Sequence, residues 1–139
     1  MKYIDITEKG GPEVLKIKEM SVPSPKKNQV LIKVEACGIN RPDILQRMGL
    51  YPPPKGAPLY PGLEVAGTIV SLGKNVFNLK VGQEVCALLS GGGYAEYCVV
   101  SSEQVLPIPK GSTMIEAAGI PETFFTVWSN IFDIGKLKK

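Results

Sequence analysis

Gln29 to Asp43 reads QVLIKVEACGINRPD, and its alternation decides the fold. Val30, Ile32, Val34 and Ala36 share one face of an extended chain; Leu31, Lys33 and Glu35 share the other. Successive side chains of a strand point to opposite faces, so this period of two predicts a half-buried strand from Gln29 to Ala36. Cys37-Gly38-Ile39 leads out of it. Asn40 then stands as an N-cap, with Pro42 in the first turn and Asp43 close behind. A short helix is predicted to run to about Met48 and to stop at Gly49.

On the N-terminal side, residues 1–9 alternate as a strand, with Ile4 and Ile6 set between Tyr3, Asp5 and Thr7. Gly10-Gly11-Pro12 forces a turn, and Val14 to Met20 alternates again, so an antiparallel pair is expected. On the other side, Tyr51-Pro52-Pro53-Pro54-Lys55-Gly56-Ala57-Pro58 reads as a stiff, exposed loop, because its prolines bar both helix and central strand. Apolar, β-branched segments resume at Leu63–Leu72, Glu84–Leu89 and Tyr94–Val100, separated by glycines. Many short strands between turn signals indicate a small barrel or sandwich.

The pattern changes after Pro109. Thr113 with Glu116 forms a capping box, so a helix is expected to begin near Ser112. Pro121 interrupts it, and a second helix is predicted over Glu122–Asp133, with Gly135 as its C-cap. Phe124, Phe125, Trp128 and Phe132 give this last element a heavy aromatic load. It reads either as core or as a connector that packs against a neighbour.

Bulk composition narrows the function classes. The chain has 139 residues, 44% of them hydrophobic, which supports one folded domain with a real core. A net charge of +3 with scattered lysines argues against a nucleic-acid surface. The terminal Lys136-Leu137-Lys138-Lys139 run is read as cations complementing a helix C-terminus. Cys37, Cys86 and Cys98 are odd in number and widely spaced, which argues for a reducing compartment. No secretory h-region and no apolar run of membrane-spanning length occurs, so a soluble cytoplasmic protein is expected.

Four stretches occur in a telling order: GGPEVL at 10–15, VLIKVEACGINRPD at 30–43, PGLEVAG at 61–67 and VGQEV at 81–85. Together they resemble the medium-chain dehydrogenase/reductase superfamily, over essentially the whole chain. The resemblance implies a mainly β fold: a GroES-like, partly open β-barrel with a short internal helix and a C-terminal helical connector. It divides the chain into a substrate-side domain at 1–110 and a connector at 111–139. A nucleotide-binding Rossmann domain is expected after Lys139, because no strand–G-x-G-x-x-G–helix unit lies within these residues.

Within that superfamily the chain resembles the zinc-free quinone oxidoreductases. NRPD at 40–43, MGLYPPP at 48–54, SGGGYAEY at 90–97 and IPETFFT at 120–126 carry this finer likeness. Leu63 stands where zinc-dependent relatives have a histidine, and the chain contains no histidine at all. No metal site is expected, and Cys37 is read as a small buried residue.

The implied activity is hydride transfer from NADPH or NADH to a quinone or conjugated carbonyl in a parent homodimer or homotetramer. Tyr51 is the candidate hydrogen-bond donor to the quinone oxygen; a loop aromatic packed on the barrel is the plainer reading. Asn40 is a candidate nicotinamide contact as well as an N-cap, and Thr126 resembles a threonine beside the cofactor. Arg41 is read as solvated, Asp43 as part of the helix start and Glu64 as a structural hydrogen-bonding group. Gly91-Gly92-Gly93 reads as a tight turn, since a β-like segment follows it. The chain by itself is expected to bind NADPH poorly and to turn over slowly or not at all. Two rivals stand beside this reading: a zinc-free enoyl-thioester reductase and a free-standing GroES-like binding module without catalysis.

Overall fold

The computed structural model describes residues 1–138. Lys139, the last of the terminal lysine run, lies outside the described residues. Strands β1 (Lys2–Ile6) and β2 (Leu15–Glu19) form the expected antiparallel ribbon, with Lys2 opposite Glu19 and Ile6 opposite Leu15. A single 3-10 turn at Pro12–Val14 joins them and buries Val14.

The main sheet is antiparallel, in the order β6-β3-β4-β5-β7. Its strands are β3 (Gln29–Cys37), β4 (Glu64–Leu72), β5 (Glu84–Leu88), β6 (Tyr97–Ser101) and β7 (Val105–Pro107). Strand β7 was not foreseen; it is three residues long and ends in proline, which suits an edge position. The two outer strands β6 and β7 are not paired with each other among the described residues, so the sheet does not close. The ribbon is stitched beside the start of β6: Tyr3 bridges Ala95, the Ile4 N–H bonds the Tyr94 carbonyl at 2.8 Å, and the Glu96 N–H bonds the Lys2 carbonyl at 3.0 Å. The result is the mainly β, partly open, GroES-like architecture expected from the sequence.

The alternation in β3 builds the core. Val30 and Ile32 are fully buried among Val65, Ile69, Val85, Ala87, Cys98 and Val100, while Lys33 and Glu35 on the other face are exposed. Leu31 shares that second face yet is also buried. The register of β3 against β4 shifts twice, between Leu31 and Ile32 and between Val34 and Ala36. Such bulges bend a strand, which is what a curled sheet requires.

A second cluster lies where α2 (Met114–Ala118) meets the sheet, with Ala117 and Ala118 against Ala66 and Cys86. Small side chains on both partners let helix and sheet approach closely. The Thr113–Glu116 capping box is formed as predicted.

Three details differ from expectation. The final helix begins at Pro121 itself, as α3 (Pro121–Trp128), because the first helical position has no use for an N–H. It then widens into a π turn over Ser129–Ile134, with the Gly135 N–H on the Asn130 carbonyl at 2.8 Å. Gly135 is the C-cap, but its φ is −72°; the left-handed residue is Lys136, at φ 52°. Cys37, expected to be buried, is exposed, since it is the last residue of β3 and lies on the Lys33 and Glu35 face.

Candidate functional site

Helix α1 (Arg41–Arg47) begins where Asn40 turns the chain out of β3. The Asn40 backbone is extended, at φ −119° and ψ 159°, as an N-cap requires. Asp43 Oδ2 accepts the Asn40 N–H at 2.9 Å, and the Asp43 N–H bonds the Asn40 carbonyl at 3.1 Å. A capping aspartate is ordinarily solvated, but Asp43 is only 5% exposed. Its remaining bonds point inward: Oδ1 accepts the Gly62 N–H at 3.0 Å, and Oδ2 accepts the Tyr94 hydroxyl at 3.1 Å. One carboxylate thus ties α1 to the Pro61-Gly62 turn and to the residue after the glycine run. Gly62 must be glycine there, at φ 108°, because a Cβ would stand 2.5 Å from the Tyr94 nitrogen. Burial, reinforced by the Asp43 charge, pushes the Tyr94 hydroxyl far above its ordinary pKa, so it stays a donor.

Glu64, at the start of β4, forms a second node and is 2% exposed. Its Oε1 accepts Asn40 Nδ2 at 2.9 Å, and its Oε2 accepts the Glu122 N–H at 3.0 Å. Glu122 follows Pro121, so this N–H is the first one that α3 presents, at the positive end of its dipole. Among the described residues, no buried side-chain nitrogen or oxygen lacks a partner.

An open cleft of about 460 Å³ lies between the Tyr51-to-Pro54 loop and α3, lined by Tyr51, Pro54, Leu63, Leu89, Phe125 and Thr126 among others. The structure therefore brings Tyr51 and Thr126 to one cleft. Tyr51 is 40% exposed and also borders a second hollow on the side of Gly49 and Leu59. The hydroxyls of Tyr51 and Thr126 form no hydrogen bond among the described residues. Asn40 does not line the cleft. It is linked to it by two hydrogen bonds through Glu64 to Glu122, which does. Arg41 is exposed.

A wider, more apolar groove of about 600 Å³ separates the β1–β2 ribbon from β3, with Ile4, Ile17, Val34, Cys37 and Tyr94 among its lining. It contains none of the three candidate residues. The cleft combines apolar side chains with polar ones and two free hydroxyls, so it is the better chemical site.

The glycine run offers no anion cradle. The Gly92, Gly93 and Tyr94 N–H groups bond the carbonyls of Tyr60, Gly62 and Pro61 at 2.9, 3.0 and 3.0 Å. Partial desolvation, with Asp43 and Glu64 nearby, raises the Cys37 thiol; burial pushes Cys98 up to about 12. Among the described residues, no group of three or more His, Cys, Asp or Glu is placed to hold a metal ion.

The node at Tyr94 and the Glu122 N–H escaped sequence reasoning. One signal was available for Glu64: a lone carboxylate in the apolar run Leu63-Glu64-Val65-Ala66 is bound to be buried and therefore bonded.

Residues 26–110 match the family model of the alcohol dehydrogenase GroES-like domain. The chain is 40% identical over 130 residues to a quinone oxidoreductase from Lama guanicoe, covering 92% of this chain and 39% of that protein. The structure of human synaptic vesicle membrane protein VAT-1 homolog-like protein superposes with a TM-score of 0.90 at 30% identity, covering 100% of this chain and 44% of that one. Escherichia coli quinone oxidoreductase in complex with NADPH superposes with a TM-score of 0.81 at 29% identity, covering 94% and 40% of the two chains. The chain thus spans about two fifths of the length of these relatives.

Proposed function

Because the chain belongs to the alcohol dehydrogenase GroES-like domain family, we propose that it is the substrate-side part of an NAD(P)H-dependent, metal-free quinone oxidoreductase. The observation that carries this reading is the cleft in which the Tyr51 and Thr126 hydroxyls stand unbonded beside the apolar side chains of Leu63, Leu89 and Phe125 and the polar ones of Gln104 and Asn130.

The residues fit the ring end of a nicotinamide cofactor and a flat acceptor. A cleft of about 460 Å³ is of the size that binds small molecules. They do not fit its phosphates, since the glycine-run amides at Gly92 and Gly93 are spent on carbonyls. In this reading residues 111–139 connect the 1–110 unit to the part of the protein that holds the phosphates. When bound, the nicotinamide supplies the hydride.

The chain's own residues bind and orient. Tyr51 donates to the quinone oxygen on which negative charge builds, and the prolines after it hold the donor in place at low entropic cost. Its hydroxyl is open to water, which supplies the proton that completes the hydroquinone. Thr126 faces the same space from α3. A quinone accepts hydride readily, so positioning matters more than a strong acid, and a site without histidine suffices. Leu63 beside Glu64 adds no metal ligand. The exposed aromatics of α3, Phe124 at 65% and Trp128 at 61%, suit contact with further protein in a homodimer or homotetramer. Three free cysteines suit the cytoplasm.

The test is NADPH consumption by the complete protein with a naphthoquinone and with an enoyl thioester as acceptors. The quinone is expected to be the faster. Tyr51→Phe is expected to lower kcat by about ten- to a hundredfold, because an exposed donor competes with water. Faster reduction of the thioester would assign the protein to the enoyl reductases instead. A wild-type rate in Y51F would remove Tyr51 from the chemistry.

A further inference from the structure

Glu64 carries more than structural hydrogen bonding. Its carboxylate is 2% exposed, and both of its partners are neutral N–H groups, on two different elements. Burying a carboxylate without a cation is costly, and an apolar side chain of similar size commonly holds a core together as well or better. The use of a charge here calls for a role that an apolar side chain lacks.

Two features of the geometry define that role. The first is direction. An ionised carboxylate only accepts, so Asn40 must turn Nδ2 toward Glu64, which sends its Oδ1 to the opposite side. The second is separation. Glu64 pairs with Leu88 across β4 and β5, so its backbone belongs to the middle of the sheet. From there it holds the first turn of α3 at Glu122. Thr126 stands four residues on, one turn along the same helix face, and lines the same cleft. Gly38 keeps the space free: a Cβ at that position would collide with the Glu64 carboxylate.

We infer that Glu64 is a positioning residue, which fixes the amide direction of Asn40 and, through the Glu122 N–H, the placement of Thr126 in the cleft proposed for the nicotinamide ring. The inference rests on the function proposed above.

Glu64→Gln in the complete protein tests it. The amide keeps size and shape but has one acceptor. If its oxygen serves Asn40 Nδ2, its nitrogen confronts the Glu122 N–H, donor to donor, and the first turn of α3, which carries Thr126, must shift. The expected result is an NADPH dissociation constant, by calorimetric titration, weakened about tenfold, with kcat lowered by a similar factor and the quinone KM within about twofold of wild type. Adding Asn40→Asp to E64Q restores one donor and one acceptor at each contact, and is expected to return the NADPH affinity to within about threefold. Glu64→Asp, which keeps both acceptors but draws them back by one methylene, is the second variant, with a smaller loss in the same direction. Wild-type affinity in E64D or in a folded E64Q overturns the inference, as does a double variant no better than E64Q. A wild-type protein that oxidises neither NADPH nor NADH with any quinone would instead sink the functional reading. Turnover by the wild type that is matched by E64Q sinks the positioning role alone.

Discussion

Replacing Asp43 with asparagine tests how much of this domain hangs on one buried carboxylate. Asp43 is 5% exposed and accepts three bonds, two on Oδ2 from the Asn40 N–H and the Tyr94 hydroxyl, and one on Oδ1 from the Gly62 N–H. Asparagine has the same shape and one oxygen fewer. The oxygen will keep the site with two donors, so the new NH2 group faces the Gly62 N–H. Gly62 cannot turn away, because it is held at φ 108° with its Cα packed against Tyr94 and Gly93. A buried N–H left without an acceptor costs about 1–3 kcal/mol, and the two surviving bonds lose charge assistance worth roughly 1 kcal/mol together. Removal of the buried charge returns part of this. The net expectation for D43N is a loss of about 2 kcal/mol, or roughly 6–8 °C in Tm for a chain of this length. Urea denaturation followed by far-UV circular dichroism measures it, with an unchanged m-value as the check that only stability has moved. Tyr94→Phe removes a single donor and leaves the carboxylate two, so about 1 kcal/mol is expected. The two changes share a bond and are expected to couple by at least about 0.5 kcal/mol in a double-mutant cycle. A D43N loss below about 0.5 kcal/mol, or strict additivity with Y94F, would refute the reasoning.

Two further outcomes follow from the burial and titration of single groups. At pH 8, thiol reagents are expected to label Cys37 in the folded chain and to reach Cys86 and Cys98 only on unfolding, since the first is exposed and the others are buried; protection of Cys37 and rapid labelling of Cys98 would contradict the structure. Hydrogen bonds from the Thr113 backbone and side chain hold Glu116 below its ordinary 4.5. The unfolded chain binds this proton more readily, so the capping contribution is complete above pH 4.5 and is lost as pH falls through the lower, folded value. The Thr113 amide resonance should titrate below 4.5, and Glu116→Gln should remove that transition; a midpoint at or above 4.5 would show that the cap does not bind the ionised form.

Much of the fold was legible because it rests on local rules. The period of two in β3, the glycines and prolines between strands, and the caps at Asn40 and Thr113 each act over a few residues, and each is realised. Strand β7 was missed because three residues carry no readable period, and only pairing with β5 makes them a strand. Gly135 caps the last helix as expected, though not in the left-handed conformation. Glycine favours the left-handed conformation, but the widened π turn moves that position on by one residue, to Lys136. Cys37 was read as buried from its residue type, whereas its place at the end of β3, on the outward face, decides its exposure.

The candidate site divides along the same line. The sequence by itself offered the candidates: a tyrosine on a proline-stiffened loop, a threonine on the last helix and an asparagine at a helix start, in a chain without histidine. The three side chains were singled out by the resemblance to a family, since residue type and near neighbours alone fit plainer roles for each. Only the tertiary structure decided which of them meet. Tyr51 and Thr126, far apart in the chain, line one cleft, while Asn40 turns its amide to Glu64 and reaches that cleft only through Glu122. Hydrogen bonds such as Tyr94 to Asp43 and Glu122 to Glu64 join residues 51 and 58 positions apart. No local pattern encodes such pairs, because each follows from where the sheet order and the packing of α3 place two distant backbones.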